Sequence, residues 1–343
     1  MRMVENRLVR NKPIKKILII KPSSLGDIVH SLPFLNILRK SFPYSEIHWL
    51  VSKEYYSFLE DHPMIDRLWI MDKTRWKKPI YLKSAIRDIY NLCRSLRLEQ
   101  FELAIDLSGL LRSAVICMLS KAKAKIGFEE SDEGSPFFYT DKVKGDMGIH
   151  AIDRYLKIAE FIGCNIHELK YPFAPFPENP PSFHSLPKKY IIIAPSAGKE
   201  ANRWPPDRFG KLAAKLPFPS VVICSSSEIY IGKEVEKNAN GNVISLAGRT
   251  NLKELIAIIK KGSFFISNDT GPMHIAAALD IPVFAIFGPA NPTRTGPYGS
   301  IHTIIKRDLS CSPCYRKTPC SDWKCMNEIT VDMVYETISK HIL

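Results

Sequence analysis

Short apolar runs alternate with longer amphipathic stretches along most of this chain, a pattern that predicts strands and helices taking turns. Lys16 to Lys21 reads as a strand, followed by Pro22-Ser23-Ser24-Leu25-Gly26-Asp27 and an amphipathic segment from Ile28 to Lys40. Within that segment Ser31-Leu32-Pro33 predicts either a kink or a fresh helix start capped by Ser31. Ile47–Val51 and Arg67–Met71 are further strands, and a long helix runs from about Ile80 to Leu96. Leu103–Leu107 is a fourth strand, with Leu110–Ser120 helical behind it. Glu129 to Gly148 is polar and glycine-bearing and reads as a loop, and His150–Ile162 is helical again.

A proline-rich stretch, Tyr171 to Pro187, suits neither regular element and reads as a semi-rigid linker. The expected organisation is therefore a first domain over 1–170, a linker over 171–187, a second domain over 188–330 and a closing helix over 331–343. In the second half the expected elements are Tyr190–Ala194, Pro206–Leu216, Ser220–Cys224, Glu228–Asn238, Val243–Leu246 and Asn251–Lys260. They lead to a well-marked unit. Phe264-Phe265-Ile266 leaves a sheet at Ser267-Asn268-Asp269-Thr270-Gly271, Pro272 opens a helix that runs to Leu279, and Ile281–Phe287 is the next strand. Such alternation implies an α/β fold of two doubly wound parallel sheets, with a ligand cleft expected between the halves.

Composition narrows the class. At 343 residues the chain exceeds the usual single core. Its 45% hydrophobic and 24% charged content is that of a soluble globular protein. No apolar run approaches the ~18 residues of a membrane span. The basic start (Arg2, Arg7, Arg10, Lys12, Lys15, Lys16) is followed by an apolar run too short for a secretory signal, so a cytoplasmic location is expected. The net charge of +13 calls for nucleic acid, an anionic membrane surface or a phosphorylated substrate. Basic clusters at Lys73–Lys78 and Lys121–Lys125 come with no nucleic-acid motif, which disfavours the first, and a solvated basic face accounts for most of the charge beside a weak attraction to anionic lipid.

Chemistry concentrates at strand ends. Thr270 and Gly271 head a helix, where backbone N–H groups favour a phosphate. His274 can add a donor or positive charge there, and Asp269 can accept from a ribose hydroxyl. The competing reading makes Asp269 and Thr270 mere caps and His274 a core residue. Asp27, after the first strand, can serve as general base or as a helix cap. Pro195-Ser196-Ala197-Gly198-Lys199 forms a second phosphate-facing corner, with Lys199 or Arg203 available to neutralise a leaving group. Glu228 can accept from hydroxyls or simply favour a helix start. Cys311, Cys314, Cys320 and Cys325 begin with Cys-x2-Cys but continue with gaps foreign to zinc ribbons. Zinc, disulfides and reduced thiols stay open there, a structural role without metal being favoured. There is no P-loop, Asp-x-Asp, His-Glu-x-x-His or Gly-x-Gly-x-x-Gly.

Taken together, Lys21-Pro-Ser-Ser-Leu-Gly-Asp-Ile-Val-His30, Arg203-Trp204-Pro205, Ser267-Asn-Asp-Thr-Gly-Pro-Met-His274, Phe287-Gly288-Pro289 and the cysteine-bearing tail resemble the ADP-heptose:lipopolysaccharide heptosyltransferases, family 9 of the glycosyltransferases. The resemblance implies a GT-B architecture, two Rossmann-like domains facing each other across a cleft. It further implies inverting transfer of L-glycero-D-manno-heptose from ADP-heptose to the lipopolysaccharide inner core, without an essential metal or other cofactor. Asp27 matches the base, and Lys21 and Ser24 match the acceptor side. Asp269, Thr270, Gly271 and His274 match the nucleotide and diphosphate site, with Ser196, Ala197 and Glu228 as less distinctive nucleotide contacts. A cytoplasmic enzyme peripheral to the anionic inner membrane is implied, with no nucleic-acid partner. One position departs: members usually carry lysine two residues before the tryptophan, where this chain has Asn202. Arg203, ahead of Lys199, is expected to take over that charge.

Overall fold

Twelve strands in the computed structural model, which describes residues 14–342 except 74–81, 132, 182, 184 and 185, form two six-stranded sheets whose paired strands all run parallel. The chain divides between Pro175 and Phe176 into two compact units.

The first unit carries β1 (Lys16–Ile20), β2 (Glu46–Ser52), β3 (Arg67–Met71), β4 (Leu103–Asp106), β5 (Ala124–Phe128) and β6 (Asp141–Val143), in the order β3-β2-β1-β4-β5-β6. Its longer helices are α1 (Leu25–His30), α2 (Leu32–Ser41), α3 (Leu82–Leu98), α4 (Leu111–Leu119) and α5 (Ala151–Phe161). The second unit repeats the plan with β7 (Ile191–Ala194), β8 (Ser220–Val222), β9 (Val243–Ser245), β10 (Phe265–Asn268), β11 (Val283–Phe287) and β12 (Thr303–Lys306), in the order β12-β11-β10-β7-β8-β9. Its longer helices are α6 (Pro206–Lys215), α7 (Ile229–Lys237), α8 (Leu252–Lys261), α9 (Gly271–Ala278) and α10 (Val331–Ile342).

Renumbered from its own first strand, each sheet follows the Rossmann order 3-2-1-4-5-6. The order reverses between β1 and β4 in one unit and between β7 and β10 in the other. Ligands of such sheets bind at the carboxyl ends of the strands flanking that reversal.

The central strands are apolar throughout because both faces are covered. Leu18, Ile19 and Ile20 are fully buried, as are Ile191, Ile192 and Ile193. Leu18 and Ile20 pack with Leu92, Leu96 and Phe101, so the inner face of α3 closes one side of the first sheet. In the second unit Trp204, Phe209, Ile266 and Ile286 share a core with Met326, Ile329, Val334 and Ile338, which brings the chain end onto the sheet. Local signals agree with the helix starts. Asn251 and Glu254 exchange side-chain-to-backbone bonds at the head of α8, and His150 accepts from Ile152 N–H at the head of α5.

Two sequence expectations need correction. The 129–148 segment, expected to be a loop, contains β6 and a 3-10 turn at Ser135–Phe138. The basic cluster Lys121–Lys125 runs into β5, and β12 carries no apolar run that marks it. These strands lie toward the sheet edges, where pairing with a neighbour rather than the strand's own pattern decides the conformation. At Ser31 one helix ends and a fresh one starts: Ser31 holds the N-cap position of α2 with helical backbone, but its hydroxyl makes no capping bond and donates back to the Asp27 carbonyl. The expected start of α3 at Ile80, residues 74–78 of a basic cluster, the basic start up to Lys12 and parts of the proline-rich stretch lie outside the described residues. The described part of that stretch is tied down. The Pro172 carbonyl meets His62 Nε2 at 2.9 Å, and Phe173 stacks edge-on with Phe58. Beyond the division, Lys260 lies over Phe176 and Lys261 over Phe183.

Candidate active site

At the first reversal, the chain leaving β1 places Lys21, Ser24 and Asp27 together. Asp27 is the third residue of α1, and its Oδ2 accepts from both the backbone N–H and the hydroxyl of Ser24, each at 2.8 Å. That is the carboxylate half of a capping box. The other oxygen, Oδ1, lies 3.5 Å from Lys21 Nζ and 3.4 Å from the Tyr155 hydroxyl, which donates to it. One oxygen thus fixes the helix start while the second meets a cation and a phenol, in a side chain 39% exposed.

Lys21 is buried beneath this corner and donates to the Leu107 carbonyl at 3.2 Å. Burial works against its charge, but Asp27, Tyr155 and Asp106 outweigh it, and the ammonium is held above the ordinary lysine value. Tyr155, from α5, is pushed up to about 12 by burial and by Asp27, against the opposing pull of Lys21. It therefore stays protonated and able to donate. Across the reversal, Asp106 ends β4 wholly buried, accepting from Tyr139 Oη and from the N–H groups of Ser108 and Gly109. Those bonds shape a turn in which Gly109 has φ +67°, and a Cβ there would lie 2.6 Å from Ser131 Oγ. Sequence reasoning missed Tyr155, which sits mid-helix, and Asp106, whose signal was a lone acid closing an apolar strand.

At the second reversal, the turn after β10 and the loop after β7 are bound to each other. Asn268 ends β10 fully buried; its Oδ1 accepts from Trp204 N–H at 2.9 Å and its Nδ2 donates to the Pro195 carbonyl at 2.7 Å. Asn202 Nδ2 donates to Asp269 Oδ2 at 3.1 Å. The departing position therefore lies directly against the predicted nucleotide turn. Thr270 occupies the N-cap position of α9 with extended backbone, yet its side chain makes no capping bond. Gly271 then leads the helix and His274 is buried in its first turns. A helix start without a side-chain cap leaves donors for an anion.

The remaining predicted residues form a neighbouring group. Arg203 donates to the Ala197 carbonyl at 2.9 Å, to Glu228 Oε1 at 2.8 Å and to the Tyr230 hydroxyl at 3.2 Å. Its charge is thus matched by Glu228, which also accepts from Ser225 Oγ at 2.6 Å. Ser196 and Ala197 are buried in the loop after β7, and Lys199 precedes a 3-10 turn over Glu200–Asn202. That turn is clamped from outside by the cysteine-bearing tail: the Ala201 N–H donates to the Lys317 carbonyl at 3.1 Å, and Trp323 Nε1 donates to the Ala201 carbonyl at 3.0 Å.

All four tail cysteines are free thiols; Cys311 and Cys314 are exposed, and Cys325 is buried. Burial, then the proximity of Cys314, Cys320 and Cys311, raises the Cys325 thiol. Among the described residues no group of three His, Cys, Asp or Glu side chains is placed to hold a metal ion, and no helix is long and apolar enough to cross a membrane.

Comparison with known proteins meets this geometry from outside. The model of glycosyltransferase family 9 (heptosyltransferase) matches residues 89–324. The lipopolysaccharide core heptosyltransferase OpsX of Haemophilus influenzae is 28% identical over 301 residues, covering 85% of this chain and 84% of that protein. The lipooligosaccharide heptosyltransferase 2 of Campylobacter jejuni is 27% identical over 340 residues, covering 95% and 98%. Among solved structures, Escherichia coli heptosyltransferase WaaC with ADP superposes with a TM-score of 0.77 at 21% identity, over 95% of this chain and 99% of that one. The Escherichia coli ADP-heptose lipopolysaccharide heptosyltransferase II gives 0.76 at 22%, over 95% and 98%. The twin parallel sheets are thus those of the GT-B heptosyltransferase structures. With a family match running from within α3 to the cysteine-bearing tail, this chain belongs to glycosyltransferase family 9, the heptosyltransferases.

Proposed function

We propose that this enzyme moves L-glycero-D-manno-heptose from ADP-heptose to the lipopolysaccharide inner core with inversion, Asp27 acting as general base. The observation that carries the reading is the state of Asp27: one oxygen is spent on Ser24, and the other is held by Lys21 and Tyr155 at a half-exposed strand end. A carboxylate so oriented can take a proton from an acceptor hydroxyl as that oxygen attacks the anomeric carbon. The C–O bond to the acceptor forms while the bond to the ADP phosphate breaks, and the leaving group departs as diphosphate. Lys21 and Ser24 fix the base, and Ser24 also lines the acceptor side.

The departing charge falls to the second unit. Thr270 Oγ1, the Gly271 amide, the positive end of α9 and His274 are assigned to the diphosphate. Asp269, oriented by Asn202, and Glu228, oriented by Arg203, are assigned to hydroxyl or base contacts, with Ser196 and Ala197 lining the loop. Because Glu228 already matches Arg203, we assign the compensating cation at this loop to Lys199. The donor assignment predicts that calorimetric titration gives binding of ADP in clear preference to UDP and GDP; preference for UDP rejects heptose as the transferred sugar. A transfer assay with ADP-heptose on Kdo2-lipid A and on its mono-heptosylated form then identifies the acceptor. An anionic membrane surface is the natural partner, since such an acceptor is held in a bilayer by its lipid.

The tail clamp makes a separate prediction. Trp323→Phe keeps the ring but removes the bond to the Ala201 carbonyl, worth about 1 kcal/mol. ADP affinity is expected to weaken by about fivefold at unchanged acceptor KM. Unchanged ADP affinity would show that the tail does not set this loop.

A further inference from the structure

The outward face of α3 joins cations to exposed apolar side chains. Its inner side is spent on the core, where Ala85, Leu92, Cys93 and Leu96 are buried. Outward, Lys83, Arg87, Arg94 and Arg97 are exposed, and among them stand Ile86 at 60% and Tyr90 at 63% exposure, one helical turn apart. The helix has a single acidic residue, Asp88, and that is half-buried, so the exposed face carries cations and apolar groups but no carboxylate.

We propose that this face of α3 docks on an anionic lipid surface, with Ile86 and Tyr90 entering the headgroup region and the four cations meeting lipid phosphates. The combination selects the partner. Nucleic acid would satisfy the cations but set Ile86 against phosphate, whereas a bilayer interface takes both kinds of group from one amphipathic helix. Each exposed cation adds to attraction toward anionic lipid, and the chain's net charge of +13 acts in the same sense. The inference rests on the reading above, in which the acceptor is presented from a membrane.

The test uses the full-length protein and vesicles without donor or acceptor, so that it does not depend on the assigned reaction. Phosphatidylethanolamine–phosphatidylglycerol vesicles are expected to co-sediment with the protein, less so as salt rises, and phosphatidylcholine vesicles are not. Arg87→Gln/Arg94→Gln is expected to weaken partition by about thirtyfold. Ile86→Ser/Tyr90→Ser is expected to lower it at all salt concentrations, with thermal stability largely kept because both side chains are mostly exposed. Partition that neither double variant changes overturns the assignment of this face, as does equal binding to neutral vesicles or binding to nucleic acid alone. Loss of vesicle binding with normal turnover of a detergent-dispersed acceptor supports the docking role. Absence of turnover with vesicle binding intact would count against the heptose reading alone.

Discussion

Replacing Asp27 with asparagine is expected to lower heptose transfer by at least ~100-fold while ADP binding is kept. The substitution is suited to the geometry. An amide oxygen can still accept from the Ser24 N–H and hydroxyl, so the head of α1 keeps its bonds. What is lost is the ability to take a proton, together with the negative charge that faces Lys21 at 3.5 Å. The effect should fall on kcat, because the group acts as the acceptor oxygen attacks and contributes little to holding the ground state. ADP affinity should not move, since the residues assigned to the nucleotide belong to the other unit. Transfer assays beside ADP calorimetry decide the matter, and near-normal turnover in the variant would reject the base assignment.

Lys21→Met should be the most destabilising single change at this corner, at about 3 kcal/mol. The methionine fills the space of the lysine stem but leaves the partly exposed Asp27 without its cation and the Leu107 carbonyl without its donor. Asp27 recovers part of that loss from water, which sets the value at the low end of buried-pair measurements. The pH dependence has a definite sign. Lys21 binds its proton more tightly in the folded chain than at the ordinary value of 10.5. Its contribution is therefore fully present below that value and disappears as pH rises through the higher folded value. Denaturant titrations should show the gap between wild type and variant as constant near neutrality and shrinking in strong alkali. Equal stability at pH 7 would mean that the buried ammonium does not hold the corner together.

Tyr155 and Asn268 show why these sites were only partly legible. Neither has a motif of its own: Tyr155 is one of several buried residues on the inner face of an amphipathic helix, and Asn268 reads as the end of a strand. Each gains its role only when folding brings α1 beside α5, or β10 beside the loop after β7. Arg203 shows the opposite case. Its position beside Asn202 makes it the expected replacement for the family lysine; its guanidinium donates to Glu228, while Asn202 donates to Asp269. Neighbours in sequence point to different places when the backbone between them is extended, as it is at Arg203.

The amino-acid sequence by itself determined the α/β alternation, the apolar central strands and the corners at Asp27 and Thr270, because periodicity, helix-start chemistry and motif spacing are local properties of the chain. Strand order was decided only by the tertiary structure. So were the strands β5, β6 and β12, the burial of Lys21 beside Asp27, and the cation-bearing outer face of α3. Each depends on which surfaces are covered by residues distant in sequence, and covering a surface is what sets both the free energy of an apolar side chain and the charge state of a polar one.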